Sequence, residues 1–544
     1  MKTRWLAALL LTVAALIFAT TAIGSGKRAA SGGTFRLGTA SGIDSLNPYV
    51  AFNQDAYNTF EYIYPVLVQY DSKLHYAPFF ARSWHTSKDG KTWTFKTQPH
   101  AKWSDGKPLT AADAAWTINT DLKYANGATA NVAGLVAHIT HASAPNATTL
   151  VVHYKQAAGN VLGQFQQFFI LPKHVWSQQL GKNGTGLKTF PNGAPVVGSG
   201  PFNLVKYTKN QITLFQRNDS YWGPKPKVEE FGLQQFSNDD AMVTALKSHH
   251  LDAIESVPAT AMRTLRSSGF AVSQVHGLDQ TDFIINSNPK KKHHRELLNL
   301  KVKEAFDHAI DRQKIDSVVF LGAAQPANSI IPATTGAWHN PHLKTVSFDV
   351  KLANRILDKL GYKRGPGGIR VANGNKMSYE VVTPTDVQSI PRTFEILQTD
   401  FAKISVQLKR KALDSSAAFA LMAGPNNTYQ GFDLAMWDWT ALIDPDFMLS
   451  VVTCAQYGGW SDSGFCDKRY DRMYSQQQLT PNQEKRRQIV WRMQAYLYEQ
   501  RPYLWLANDD SVSATSKNWA GFRNTAQGPF NELNIQSLTQ VHQK

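Results

Sequence analysis

The segment Ser104-Asp-Gly-Lys107 has the spacing of a serine nucleophile and a lysine base, the S-x-x-K pattern of penicillin-recognising serine enzymes. Its Asp105-Gly106 pair marks a turn, whereas the pattern needs a helix start at the serine. Neither S-D-N nor K-T-G follows in the chain. We therefore expect no catalytic residue and a protein that is not an enzyme.

Two pairs of adjacent histidines, His249-His250 and His293-His294, have side chains of a type that binds metals. Neighbouring side chains on a helix or strand point apart, so a surface position is the preferred interpretation. The chain contains neither G-x-x-x-x-G-K-[ST] for nucleotide phosphates nor H-E-x-x-H for zinc. The sequence thus predicts no metal site and no cofactor.

Composition indicates a globular protein of several structural units, with 544 residues of which 42% are hydrophobic. The net charge of +16 admits a nucleic acid, an anionic membrane surface or an acidic ligand as partner. Lys and Arg are scattered, and this disfavours nucleic acid. The dense run Lys290-Lys-Lys-His-His-Arg295 is interpreted as a solvated loop, with a membrane-surface contact as the alternative.

The N-terminus resembles an export signal, since Lys2 and Arg4 precede an apolar stretch from Leu6 to Ile23. Residues 1–32 are predicted to be a signal peptide or an N-terminal anchor. The apolar stretch is long enough to cross a bilayer uncleaved, and no lipobox Cys follows it. We expect an exported protein, periplasmic or on the outer face of the cytoplasmic membrane.

Turn and capping signals predict the order of elements between residues 79 and 120. Asp89-Gly90 before an alternating run predicts a β-hairpin with a two-residue type I′ turn. Thr110-Ala-Ala-Asp113 is a capping box that starts a helix. Further helices are predicted through Val302 to Ile310, between Asp349 and Gly361, and from Thr480-Pro481 onward. Short strands alternate with these helices, so the class is α/β or α+β.

This succession of hairpin, turn and capped helix resembles the signature region of the bacterial extracellular solute-binding proteins of family 5. These proteins are the oligopeptide- and dipeptide-binding components of ABC importers. Further collinear blocks extend the resemblance from about residue 34 to 535: Val197-Gly-Ser-Gly-Pro-Phe202, Arg217-Asn-Asp-Ser-Tyr-Trp222, Ala245-Leu-Lys-Ser-His-His-Leu-Asp252, Lys303-Glu-Ala-Phe-Asp-His-Ala-Ile-Asp-Arg312, Ile356-Leu-Asp-Lys-Leu-Gly-Tyr362 and Phe432-Asp-Leu-Ala-Met-Trp-Asp-Trp439.

The resemblance implies an α/β, two-lobed, periplasmic-binding-protein-like fold of the type II, large peptide-binding class. It has an inserted subdomain and two hinge crossings. The first lobe is expected from residues 33–66, 190–278 and 506–540, the inserted subdomain from 67–189, and the second lobe from 279–505.

The function implied is a clamp in which a ligand that contacts both lobes drives their closure. The ligand is expected to be a peptide or another small polar solute. The partners are an ABC permease and ATPase in the membrane, no nucleic acid is involved, and the protein is expected to be a monomer. The alternative is an exported binding or sensing module for an oligosaccharide or metal chelate, without a transport role.

Aromatic residues after Phe432 are the main candidates for the site. Alternation along a strand places Trp437 and Trp439 on one face, where indoles could line the cleft. The resemblance adds the loop that contains Ser45, Leu46 and Asn47, and the aromatic residues Tyr457 and Trp460.

The sequence departs from the family at both ends of the usual charge clamp. Peptide-binding members place an Asp for the ligand ammonium where this chain has Leu442, and the next carboxylate is Asp444. Dipeptide binders have an Arg for the ligand carboxylate where this chain reads Val382-Thr-Pro-Thr-Asp386, with Arg392 nearby. Unpaired burial of an ammonium or carboxylate is costly, so a free zwitterionic dipeptide is disfavoured. Whether Asp444 replaces the missing acid stays open.

The two cysteines, Cys454 and Cys466, are predicted to form a local disulfide next to the ligand cleft. Zinc would require two further Cys or His ligands at suitable spacing, and none is adjacent. Similar family members carry a bridged loop near this point.

Overall fold

The computed structural model describes residues 33–544 except 40–41, 52–53, 72–73, 237, 386, 527 and 531–534. The predicted signal peptide or anchor, residues 1–32, lies outside the described residues. Within the part that is described, no helix has both the length and the hydropathy needed to cross a membrane.

A mixed 11-stranded sheet extends through both lobes. Ten of its strands follow one linear order, and the remaining strand, Ala324–Pro326, pairs with the central strand Tyr503–Thr515 outside that order. The main order of strands is Gln407–Leu413, Ser378–Pro384, Leu434–Thr440, Ala271–Ile285, Tyr503–Thr515, Ala253–Ile254, Phe35–Thr39, Glu230–Gln235, Ile212–Arg217 and Phe202–Thr208.

Two long central strands, Ala271–Ile285 and Tyr503–Thr515, connect the lobes, and we call them the crossing strands. They pair with each other in antiparallel fashion, with register shifts between His276 and Asp279 and between Thr281 and Asp282. On one side they continue into the first lobe through Ala253–Ile254, and on the other into the second lobe through Leu434–Thr440. The predicted two-lobed α/β architecture with two crossings is confirmed.

We call the described residues 74–189 the small subdomain. Its four strands lie in the order Ala81–Thr86, Thr92–Thr97, Thr149–Tyr154 and Ile139–Asn146, and helix Ala111–Lys123 packs on the sheet. Its buried residues form one continuous hydrophobic core with those of the first lobe. The second lobe has two large cores of its own.

The capping box is confirmed: the Thr110 hydroxyl accepts from Ala112 N, and the Asp113 carboxylate accepts from Thr110 N. The predicted hairpin is also present, but the two-residue turn is wrong. Ser87 N donates to Thr92 O, so the loop is longer, and of its residues only Gly90 has a positive φ. Asp89 instead accepts from the Ser87 hydroxyl and Lys91 N, which holds this wider loop.

The helix predicted after Asp349 is confirmed, with the Asp349 side chain accepting from Leu352 N. The helix predicted from Thr480-Pro481 begins later, at Gln483, because Asn482 is its N-cap. The α-helices are Gln54–Ile63, Ala111–Lys123, Val161–Gln167, Lys173–Trp176, Gly186–Thr189, Asp239–Lys247, Ala259–Ser267, Leu300–His308, Arg312–Ile315, Val350–Lys359, Ser389–Ala402, Ser415–Ala423, Asp446–Val451, Lys468–Gln478, Gln483–Gln500 and Ile535–Gln540. Short two- and three-residue strands complete the described chain: Val68–Tyr70 with Tyr76–Pro78, Val371–Ala372 with Asn375–Lys376, and Trp519–Ala520 with His542–Gln543.

Candidate functional site

A cavity of about 640 Å³ lies between the second lobe and the combined first lobe and small subdomain. Helix Gln54–Ile63 contributes Tyr57 and Glu61, and the small subdomain contributes residues from 117 to 171. The second lobe contributes residues from 440 to 478. A cavity of this size between lobes is typical of a small-molecule binding site.

The second-lobe wall follows directly from one strand. Strand Leu434–Thr440 ends at the cavity, and Pro445 then begins helix Asp446–Val451. The turn between them places Leu442 and Asp444 in the wall, and their contact with a ligand stays a prediction.

The Asp444 carboxylate is fully engaged by its own protein. Arg486 Nη2 donates to Oδ1 at 2.6 Å and Arg486 Nη1 to Oδ2 at 2.7 Å. Tyr76 Oη donates to Oδ2 at 2.8 Å, and Asp446 N to Oδ1 at 3.0 Å. Burial alone lowers the pKa of the Arg486 guanidinium, but Asp444 raises it and the net shift is upward. Arg486 thus supplies a buried counter-charge to Asp444 within the second lobe.

Direct contacts join the small subdomain to the second lobe beside the cavity. Asn160 Nδ2 donates to Asp446 Oδ2 at 3.0 Å, and Gly159 N donates to Gln478 O at 2.7 Å. Gly163 lies so close to Asp444 that a Cβ on it would sit 2.8 Å from that side chain. The structure thus shows the two sides of the cavity in contact, as in a closed clamp.

An aromatic patch forms one end of the second-lobe wall. Phe447 and Trp460 both line the cavity, with ring centroids 5.7 Å apart. Trp460 is 52% exposed. Such a ring can pack on a ligand without first losing contacts of its own.

Trp439 supports this patch from behind. Its ring centroid is 6.0 Å from that of Phe447, and its Nε1 donates to Asp462 Oδ2 at 2.9 Å. Trp437 lies on the same strand face and packs against Phe419. Neither tryptophan is among the residues that line the cavity, so direct ligand contact by either stays a prediction.

Cys454 and Cys466 form the predicted disulfide. It closes the loop that carries Tyr457 and Trp460, and Trp460 alone of these two aromatic residues lines the cavity. The Tyr457 hydroxyl donates to Gly464 O, and the ring packs on Tyr429. Tyr457 therefore organises the bridged loop in this structure.

The first-lobe loop, residues 42–49, reaches the cavity with its last two residues. Asn47 is buried and donates to the carbonyls of Leu187 and Phe190 at 2.7 and 2.8 Å. Ser45 Oγ accepts from Asn47 N, and Leu46 is buried in the core. None of these three residues lines the cavity, while the following Pro48 and Tyr49 do.

The sequence region expected to hold a ligand carboxylate does not reach the cavity. Val382 is buried in the second-lobe core, and Asp386 lies outside the described residues. Arg392 is exposed and pairs with Glu395 on its own helix. Among the described residues that line the cavity there is no Lys or Arg.

Several polar groups in the cavity wall were not predicted from the sequence. Asp121 and Gln164 of the small subdomain line the cavity, as does Tyr49 of the first lobe. Gln164 Oε1 is buried without a hydrogen-bond partner among the described residues. The Tyr49 hydroxyl and the Asp121 carboxyl lie close enough to affect each other's pKa, without a well-formed hydrogen bond between them. Burial raises the pKa of the Asp121 carboxyl well above its usual range. Thr117 and Asp121 follow the capping residue Asp113 by four and eight positions, so all three lie on the buried face of one helix. This spacing of polar residues was the sequence signal available for Asp121.

The residues considered for catalysis and metal binding are not assembled for either. Lys107 Nζ lies 3.6 Å from Asp105, and the Ser104 hydroxyl accepts from Gly198 N. His294 pairs with Glu296. No group of three or more His, Cys, Asp or Glu side chains in the described chain is placed to hold a metal ion.

Solved structures of other proteins share the fold over nearly the whole chain. The NikA protein of Brucella suis in complex with Fe(III)-EDTA matches with a TM-score of 0.80 and 22% identity, covering 94% of this chain and 100% of that one. The oligopeptide-binding protein AppA of Bacillus subtilis, in complex with a nonapeptide, matches with a TM-score of 0.76 and 19% identity, covering 94% and 99%.

Sequence comparison leads to the same group of proteins. A putative ABC transporter peptide-binding protein of Brucella abortus is 27% identical over 415 residues, which are 74% of this chain and 72% of that protein. The family model of the bacterial extracellular solute-binding proteins, family 5, matches residues 75–459. The chain belongs to the bacterial extracellular solute-binding proteins of family 5.

Proposed function

We propose that this protein is the extracytoplasmic substrate-binding component of an ABC importer, which captures a peptide or related solute between its lobes and delivers it to a membrane permease. The observation that carries the proposal is the cavity of about 640 Å³ whose wall comes from both sides of the crossing strands. A ligand there contacts both lobes, so it favours the closed form.

The peptide as ligand is supported by the relatives, which include peptide-binding proteins. The lack of an assembled catalytic pair at Ser104 and Lys107 supports binding without turnover. We further propose that the protein is exported, acts as a monomer together with a permease and an ATPase, and has no nucleic-acid partner.

The test begins with the protein as isolated from the exported fraction. Denaturation followed by mass spectrometry of the released small molecules identifies the ligand. The protein is unfolded to remove the ligand and then refolded, and the ligand is added back. We expect the melting temperature to rise with ligand concentration and the radius of gyration in solution scattering to fall. Recovery of the ligand in hydrolysed form, with Ser104 required, would replace this proposal by an enzymatic one.

A further inference from the structure

The cavity wall carries acidic side chains, although the chain as a whole is basic. The whole sequence has a net charge of +16. The cavity wall instead contains the carboxyl groups of Glu61, Asp121, Asp444 and Asp446, and no Lys or Arg among its described residues.

These carboxyl groups differ in how far the protein already satisfies them. Asp444 has Arg486 and Tyr76 as partners. Asp446 accepts from Asn160 Nδ2 and Gln477 Nε2. Asp121 is 2% exposed and has no ion pair in the described structure, and its Oδ1 lacks a well-formed hydrogen bond, with the Tyr49 hydroxyl as a nearby polar group.

A second unsatisfied acceptor lies in the same wall. Gln164, on helix Val161–Gln167, is 7% exposed, and its Oε1 has no partner. Gln164 Oε1 accepts hydrogen bonds, and so does Oδ1 of Asp121. Burial favours the neutral form of the Asp121 carboxyl, so a cation bound beside it would stabilise the ionised form as an acceptor. Buried polar atoms without partners are rare in folded proteins, and a bound ligand is one way to satisfy them.

We propose, on the basis of the function proposed above, that the ligand carries an ammonium or similar N–H cation that Asp121 receives, with Gln164 as a further acceptor. The cation therefore binds on the small-subdomain wall, and Asp444 stays paired with Arg486. The opposite wall offers Leu442, Phe447 and Trp460, so the part of the ligand away from the cation is apolar.

The experiment uses the ligand-stripped protein and three probes. These are spermidine, an equimolar pool of pentapeptides made only of Ala, Leu, Phe and Gly, and the same pool after N-acetylation. Binding is measured by calorimetry and by mass spectrometry of the retained fraction. Asp121→Asn is compared with Asp219→Asn, which removes the same charge from a side chain that is 71% exposed and outside the cavity.

The expected result is retention of the free-amine pool or of spermidine but not of the acetylated pool. Asp121→Asn is expected to weaken that binding about ten-fold or more, as for loss of a charge-assisted hydrogen bond, while Asp219→Asn leaves it unchanged. Where Asp121→Asn does not fold, Asp444→Asn is tested with the same probes: a free-amine preference that survives in this variant supports the site at Asp121, and one that this variant abolishes overturns it.

The remaining outcomes distinguish failure of the cation site at Asp121 from failure of the proposed peptide binding. Equal retention of both pools, or an unchanged affinity in folded Asp121→Asn, overturns the cation site and keeps peptide binding. Asp121-dependent binding of spermidine without any peptide keeps the cation site and overturns the peptide as ligand. Failure of all three probes to bind overturns both.

Discussion

Tyr76 of the small subdomain donates its hydroxyl hydrogen bond to Asp444 of the second lobe, with 2.8 Å between Oη and Oδ2. The same oxygen accepts from Arg486 Nη1 at 2.7 Å. A contact across the clamp thus ends on a carboxylate whose charge is already compensated within the second lobe. In this structure the Asp444 carboxylate is used within the protein, and its contact with a ligand stays a prediction.

Removal of Arg486 is expected to be strongly destabilising. Arg486→Met leaves the Asp444 carboxylate buried without its counter-charge, and we expect a loss of about 3–5 kcal/mol in the free energy of unfolding. The double variant Arg486→Met with Asp444→Asn is expected to recover a large part of that loss. Urea denaturation measures both, and a single variant as stable as the parent would contradict the assigned role of the pair.

The two tryptophans near the cavity are expected to act differently. Trp460→Ala removes an exposed ring of the wall, so it should weaken binding of the co-purified ligand by about 1 kcal/mol with little effect on unfolding. Phe348→Ala, which removes another exposed aromatic ring outside the cavity, serves as the control.

Trp439→Ala removes the support of the patch and the hydrogen bond to Asp462, so it should lower both affinity and stability. We expect its effect on affinity to exceed that of Asp444→Asn, because the Asp444 charge is used within the protein. Calorimetry with the co-purified ligand checks this order. The reverse order, with a preference for free amines that Asp444→Asn abolishes, would identify Asp444 as the amine acceptor.

The Cys454–Cys466 disulfide should stabilise the exported protein. Closure of a loop with a sequence separation of 12 removes entropy from the unfolded chain, worth about 3 kcal/mol on the chain-entropy estimate. We expect the Cys454→Ser, Cys466→Ser double variant to lose about that much, and to bind ligand more weakly because Trp460 lies on the loop. Peptide mapping without reductant tests the bond itself, and two free thiols would refute it.

Stability should fall as the pH rises because of Asp462. Burial raises the pKa of this carboxyl to about 6, partly offset by hydrogen bonds from Tyr503 and Trp439. Since the folded pKa exceeds the unfolded value of about 3.9, the folded state binds the proton more tightly. The stabilisation is full below about pH 4 and is lost as the pH rises through about 6.

The carboxyls of Asp462 and Asp438 lie near Asp282, and burial raises the pKa of Asp282 as well. Asp462→Asn should therefore reduce the decline in unfolding free energy between about pH 4 and pH 7 without removing it. Denaturation curves across this range compare the variant with the parent and with Asp219→Asn. An unchanged slope in Asp462→Asn would show that Asp462 is ionised in the folded state throughout.

Local signals in the sequence predicted local structure well. The box at Thr110 and Asp113 and the N-cap Asp349 act within one helical turn, so neighbouring residues determine them. The hairpin loop at Asp89-Gly90 was wrong in length because Asp89 makes side-chain bonds that a dipeptide pattern does not encode.

The cavity wall was harder to predict because tertiary contacts decide it. Strand alternation placed Trp437 and Trp439 on one face, but it did not show that Phe447 and Trp460 cover Trp439. Asp444 and Arg486 are 42 residues apart in the chain, so their pairing left no local pattern. Asp121 lies on a predicted helix, but only the packed structure shows that the cavity adjoins it.

The pairing of the two crossing strands has a kinematic consequence. Backbone hydrogen bonds tie them into one ribbon from Ala271 and Thr515 to Ile284 and Tyr503. At the first register shift, a Cβ on Gly277 would lie 2.3 Å from Asp509 O, so only glycine fits there. A two-stranded ribbon bends more easily out of its own plane than within it, so we expect the lobes to rotate relative to each other mainly about one axis.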